Sequence, residues 1–171
     1  MWPAYLIFSC LLVLTAWLLY TYSRLGTLRN SALHALAQLK THITAKHELV
    51  ATVIDTADQH MSFEKKTCEA LCDGLVRARN SLEHGPIKMA EENAQLQEYL
   101  TKFFSFLEDH PDLQEDVFIG KQKVQLLEID RKLSNAVAYY NGRVEVHNRR
   151  FSSIPAVFFA DLFGFKKFTE F

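Results

Sequence analysis

The pattern of apolar and polar positions changes once along this chain, near residue 23. Before that point there is no alternation at all: MWPAYLIFSCLLVLTAWLLYTYS, residues 1–23, holds no charged side chain. The apolar stretch from Pro3 to Tyr22 has roughly the 20 residues that a helix needs to cross a bilayer. Trp2 and Tyr5 stand at one end of it and Trp17, Tyr20 and Tyr22 at the other, where amphipathic rings favour the interface. A cleaved signal peptide fits less well, because no Lys or Arg precedes the run and no Ala-x-Ala site follows it. A lipoprotein signal at Cys10 comes too early and also lacks basic residues ahead of it.

After residue 23 a helical rhythm begins. Leu25, Leu28, Ala32, Ala35, Leu39, Ile43, Val50, Val53 and Ala57 recur at steps of three, four and seven, one face of a helix. No Gly or Pro falls between Gly26 and Gly74, so the spanning helix is expected to continue into the body. A break is expected near ADQHMS, 57–62. A second helix follows over about Phe63 to Leu82, carrying Cys68, Leu71, Leu75 and Val76. EHGP, 83–86, is the clearest stop, since Gly85 suits a helix end and Pro86 the first turn of the next. The third helix covers about Pro86 to Asp109, with Leu96, Leu100, Phe103, Phe104 and Leu107 inside. Pro111 breaks it. The fourth runs from about Leu113 to Arg150, with its stripe at Val117, Val124, Leu127, Leu133, Val137, Tyr140 and Val144. Asp112, Glu115 and Asp116 suit its positive N-terminal end, and Gly120 and Gly142 are places where it is free to bend.

Four stripes joined by short connections predict an all-α fold: an N-terminal transmembrane helix running on into a long antiparallel bundle of about four helices. The division is an anchor over 1–23 and one helical domain over 24–171. An even number of helices returns the tail to the membrane end. FFADLFGFKKFTEF, 158–171, holds six of the thirteen phenylalanines. Two placements fit it. The rings either cap the bundle, or lie with Lys166 and Lys167 at a headgroup boundary. A split is also consistent, with Phe158, Phe159 and Leu162 inward and Phe165, Phe168 and Phe171 outward.

Charge adds an orientation. Arg24, Arg29, Lys40 and Lys46 follow the span before the first acid, Glu48. Positive flanks stay on the cytoplasmic side, so the short N-terminus is expected outside and the body inside, single-pass, in a bacterial inner membrane. A net charge of −1 gives no case for nucleic acid. Cys10, Cys68 and Cys72 make no disulfide framework. Cys68 and Cys72, four apart, are expected as two small core residues.

Several strings in order resemble the LemA family. YSRLGTLRN, 22–30, matches its post-membrane signature at Tyr22, Leu25, Leu28, Arg29 and Asn30, and departs at Ser23. Gln38, His47, Leu49 and Glu64 fall in register, as do Pro111–Leu113 with Phe118, then Tyr140, Asn141 and Asn148, and finally Pro155 with Phe163–Phe165. Lys40, Ala51 and His147 stand where aspartate, proline and tyrosine are usual. The resemblance implies a membrane-anchored helical protein with its short N-terminus outside; the family's molecular function is not established, and some of its members belong to envelope or membrane-organelle assembly. It supplies no catalytic residues.

Seven histidines, His34, His42, His47, His60, His84, His110 and His147, raise a metal site. A di-iron bundle needs inward Glu-x-x-His pairs, and the sequence has none. His60 and Glu64 read as a helix-surface pair. No phosphate loop, His-Glu-x-x-His or Gly-x-Ser-x-Gly occurs. The expectation is therefore a non-enzymatic scaffold or interaction module. It has no catalytic, cofactor or metal residues and no cofactor. Its partners are the lipid bilayer and a protein or a second copy, with no nucleic acid and no small-molecule substrate. The alternative is a metal-binding or enzymatic bundle built on core histidines.

Overall fold

The structure is a computed structural model describing residues 2–60, 65–108, 117–152 and 166–171. Four helices make up nearly all of it: α1, Trp2–His60; α2, Lys65–Ser81; α3, Pro86–Glu108; and α4, Val117–Phe151. At 1.5 Å per residue, α1 is roughly 88 Å long and α4 roughly 52 Å. The apolar N-terminal segment and the first bundle helix are thus one rod, unbroken at residue 23. α4 also continues through Gly120 and Gly142 without interruption.

α1 packs along α4, α2 against α3, and α1 against α2. The pairing of α1 with α4 is antiparallel. Leu28 lies near Arg150, Lys46 meets Asp130, and Thr52 lies near Gln125. The lower end of the bundle is taken here as the end toward Leu25 and Phe151, and the upper end as that toward Ala57.

The α2–α3 hairpin turns tightly at residues 82–85. The Leu82 and His84 amides donate to the Arg79 and Ser81 carbonyls, and the His84 ring Nδ1 bonds the Asn80 carbonyl at 2.9 Å. Gly85 has φ +97°, a left-handed conformation that disfavours side chains. Pro86 then opens α3, where its missing N–H costs nothing. At Gly74 the two helices approach so closely that an added Cβ would lie 2.8 Å from Tyr99 Cδ2.

The core has an upper and a lower part. Above, Val50, Val53 and Ala57 of α1 meet Cys68, Leu71 and Leu75 of α2, Leu96, Leu100 and Phe103 of α3, and Leu126 of α4. Below, Ala35, Leu39 and Ile43 of α1 meet Tyr140 and Val144 of α4, with Leu82, Phe168 and Phe171 packed against them. The α2–α3 hairpin ends between the two parts. Below it the bundle is α1, α4 and the tail.

The expected stripes of α1 and α3 are the buried ones, apart from half-buried Leu28 and Phe104. Four expectations are corrected. Cys72 is exposed, because the buried positions of α2 are 68, 71, 74, 75, 78 and 81 and residue 72 lies to one side of that face; Val76 is exposed for the same reason. Val124 and Leu127 are exposed, since the inward line of α4 runs through Gln122, Leu126, Leu133, Val137, Tyr140, Val144 and His147. The outward placement of Phe168 and Phe171, left open beside capping, is the fourth: both rings pack on the bundle, as the capping placement has it. The expected starts at Asp112 to Asp116, the Pro111 break, Glu64 and with it the His60–Glu64 pair, His110, and Phe158 to Phe165 lie outside the described residues.

Candidate functional sites

The apolar line of α1 has a gap between Ile43 and Val50, and two buried polar residues fill it. Lys46 is 3% exposed and His47 is 1% exposed. Neighbours on a helix point about 100° apart, so each reaches a different partner. The Lys46 ammonium donates to Gln97 Oε1 on α3 and pairs with Asp130 of α4 at 2.6 Å. His47 bonds Asn93 of α3, Nε2 to Oδ1, at 3.0 Å. The Asn93 amide is oriented by its own bond to the Met89 carbonyl at 2.7 Å. An amide oxygen only accepts, so His47 carries its proton on Nε2. Among the described residues its Nδ1 has no hydrogen-bond partner. Burial holds the His47 imidazole below its ordinary pKa; the bond to Asn93 opposes this, and the charges of Arg79 and Lys46 add to it. Lys46 and His47 thus tie α1 to α3 and α4.

A second polar arrangement holds the tail. Asn141 and Asn148 are seven residues apart on α4, about two turns or 10.5 Å. The Phe171 amide donates to Asn141 Oδ1 at 2.9 Å, and Asn141 Nδ2 donates back to the Phe171 carbonyl at 3.3 Å. Asn148 does the same to Phe168, at 3.0 and 2.8 Å. Between them the Tyr140 hydroxyl donates to the Thr169 carbonyl at 2.8 Å. Burial raises the Tyr140 pKa, which keeps that donor protonated. Three residues of extended chain cover roughly 10 Å, so the spacing of the phenylalanines equals that of the asparagines. The Phe168 ring stands edge-on to buried His147, centroids 5.0 Å apart. The tail runs antiparallel to α4, from Asn148 toward Asn141.

The third feature is the apolar third of α1. Apart from half-buried Leu18, its large hydrophobic side chains from Trp2 to Leu19 are exposed, Leu6 at 69% and Leu19 at 70%. It is long and apolar enough to cross a membrane. Its hydroxyls are satisfied within the helix: Ser9 bonds the Leu6 carbonyl, Thr15 that of Leu12 and Thr21 that of Trp17. Such back-bonding satisfies these three hydroxyls without water. Directly below the bundle, Arg24 is joined by Arg149 and Arg150 around one pocket. Lys167 lies over the Phe151 ring beside them, 5.9 Å from its centroid.

Among the described residues the other histidines do not converge. His34 and His84 are exposed and His42 is half-buried. Among the described residues no group of three His, Cys, Asp or Glu is placed to hold a metal ion. Periodicity alone missed Lys46, His47 and Asn93, because polar residues carry no weight in an apolar stripe. The signal for the burial of Lys46 and His47 is the missing turn between Ile43 and Val50; His47 also stands as a match to the family pattern. Asn141 and Asn148 had appeared only as matches to a family pattern.

An exposed apolar rod that continues into a four-helix antiparallel bundle, with its lower end closed by a tail, defines the class of protein. The LemA family profile matches residues 35–171, and the chain belongs to that family. The match starts beyond the Tyr22–Asn30 stretch. No individual curated protein matches the sequence.

Proposed function

We propose that the protein is a non-enzymatic scaffold, anchored by the apolar third of α1 and presenting its bundle at the cytoplasmic face of a bacterial inner membrane. The observation that carries this reading is the junction between rod and bundle. An exposed apolar helix ends where Arg24, Arg149, Arg150 and Lys167 gather, two of them brought there by α4 and one by the tail. Basic residues beside an anionic leaflet contribute about 1 kcal/mol each, and they favour the cytoplasmic side. Because α1 has no break, the bundle is held upright at a set height rather than tethered loosely.

The test is extraction and topology of the full chain. The protein is expected to resist carbonate extraction, and a reporter fused after Phe171 is expected to work in the cytoplasm only. Release by carbonate, or a signal only from a periplasmic reporter, overturns the reading. Turnover by the purified chain that a single polar substitution abolishes overturns its non-enzymatic part.

A further inference from the structure

The segment 166–171 is held in a different way from the four helices. Its main chain is recognised by side chains: five hydrogen bonds join Asn141, Asn148 and Tyr140 to the backbones of Phe168, Thr169 and Phe171. Its own side chains add only two anchors. Phe168 and Phe171 are half-buried, while Lys166, Lys167, Thr169 and Glu170 are exposed. Tyr140 and Val144 beneath it are fully buried. Main-chain hydrogen bonds for affinity, with spaced pockets for side chains, are the logic of a groove that reads an extended peptide. The hydrogen bonds that hold the tail come from α4 side chains, none of them adjacent in sequence to it.

We propose that the face of α4 carrying Asn141, Val144 and Asn148, with the wall of α1 beside it, is a docking site for an extended Phe-x-x-Phe segment, and that its ligand in trans is residues 166–171 of a second copy. The proposal deepens the scaffold reading by giving it a means of self-association, and it rests on that reading for copies held side by side. Copies anchored in one leaflet present this face at the same height. The 13 residues of 153–165 bridge at most roughly 45 Å, several helix diameters of about 10 Å. Exchange of an identical element between neighbours needs no new contact.

The test uses the full chain in neutral-lipid nanodiscs and a fluorescent hexapeptide, KKFTEF, with the sequence of 166–171. Phe168→Ala with Phe171→Ala empties the groove. That variant is expected to bind the peptide saturably, and the intact chain at least tenfold more weakly, because its own tail competes at an effective concentration of about 1 mM. Adding Asn148→Ala is expected to abolish binding, and KKATEA is expected not to bind. The single variant Phe171→Ala should fall between. No binding to a folded emptied variant, or equal binding by the intact chain, overturns the proposal. Loss of the helical melt in both variants also overturns it, since a segment the bundle cannot fold without is not an exchangeable ligand. For the trans ligand, a chain with a broken groove, Asn141→Ala and Asn148→Ala, is mixed with the emptied variant. The two are expected to pair in a way neither does alone, and pairing no greater than in the separate samples overturns exchange between copies. The scaffold reading is decided separately, by extraction and topology.

Discussion

The upper and lower halves of the bundle bury similar kinds of side chain by different means. Above the α2–α3 turn, helices meet face to face and close over Leu71, Leu96 and Phe103, with Lys46 and His47 stitching α1 to its neighbours. Below the turn α1 and α4 are the only described helices that remain, and two helices cannot enclose a core. There the tail supplies the third wall through Phe168 and Phe171. Where a helix is present, its own backbone hydrogen bonds are already made and only packing is needed. Where an extended segment takes its place, those bonds must come from elsewhere, and Asn141 and Asn148 provide them. The upper half is therefore a folding core and the lower half a docked assembly. That difference makes the lower half the more separable.

The comparison predicts a ranking. Phe103→Ala in the upper core should be the most damaging single change, about 4 kcal/mol by loss of a buried ring and the cavity left behind. Urea melts followed by circular dichroism check it, and a loss equal to that of a tail substitution would erase the distinction between the halves. Asp130→Ala comes next. It leaves the Lys46 ammonium buried with Gln97 alone, and the 31% exposure of Asp130 places the cost at about 2 kcal/mol, below that of a fully buried pair. Lys46→Met combined with Asp130→Leu should recover most of the loss.

Asn148→Ala acts on the lower half only. It removes two hydrogen bonds to Phe168 and should cost about 1–2 kcal/mol. Hydrogen exchange should show faster exchange at the Phe168 and Phe171 amides, with α2 and α3 unchanged. Protection lost throughout the bundle would mean that the tail is part of the folding core. The smallest effect is a pH dependence in the upper half. His47 titrates below its ordinary value of 6.5 in the folded state. Above that value it is neutral whether folded or not, and stability is flat on its account. Below about pH 6.5 the unfolded chain takes the proton first, so stability falls as pH drops toward the folded-state pKa, by at most about 1.4 kcal/mol per pH unit. His47→Gln should remove that slope in melts compared at pH 7.5 and 5.5.

Much of the scaffold was legible in the residues. The α1 stripe from Leu25 to Ala57 is buried position by position, apart from Leu28, and the stop at Gly85 and Pro86 falls where the chain turns. The expected α4 stripe leaves the buried line at Val124, two positions from both Gln122 and Leu126, and at Leu127, one position past Leu126. Apolar residues there occupy both the buried line and its flank, and periodicity cannot separate the two when Leu126 and Leu127 are adjacent. The tail was legible as an aromatic cluster, but the direction of Phe168 and Phe171 was not.

The sequence alone determined the local matters: four helices, a rod long enough to span a bilayer, the family pattern, and the basic flank after the span. Each follows from neighbours a few residues apart, where helix geometry sets which side chains share a face. The tertiary structure decided three things. It buried Lys46 and His47 against Asp130 and Asn93, gathered Arg149 and Arg150 beside Arg24, and turned two asparagines of α4 into a clasp for Phe168 and Phe171. Lys46 and His47 meet partners some 46 to 84 residues away in the chain. A polar residue shows no preference for such a partner until packing excludes water and leaves it no other.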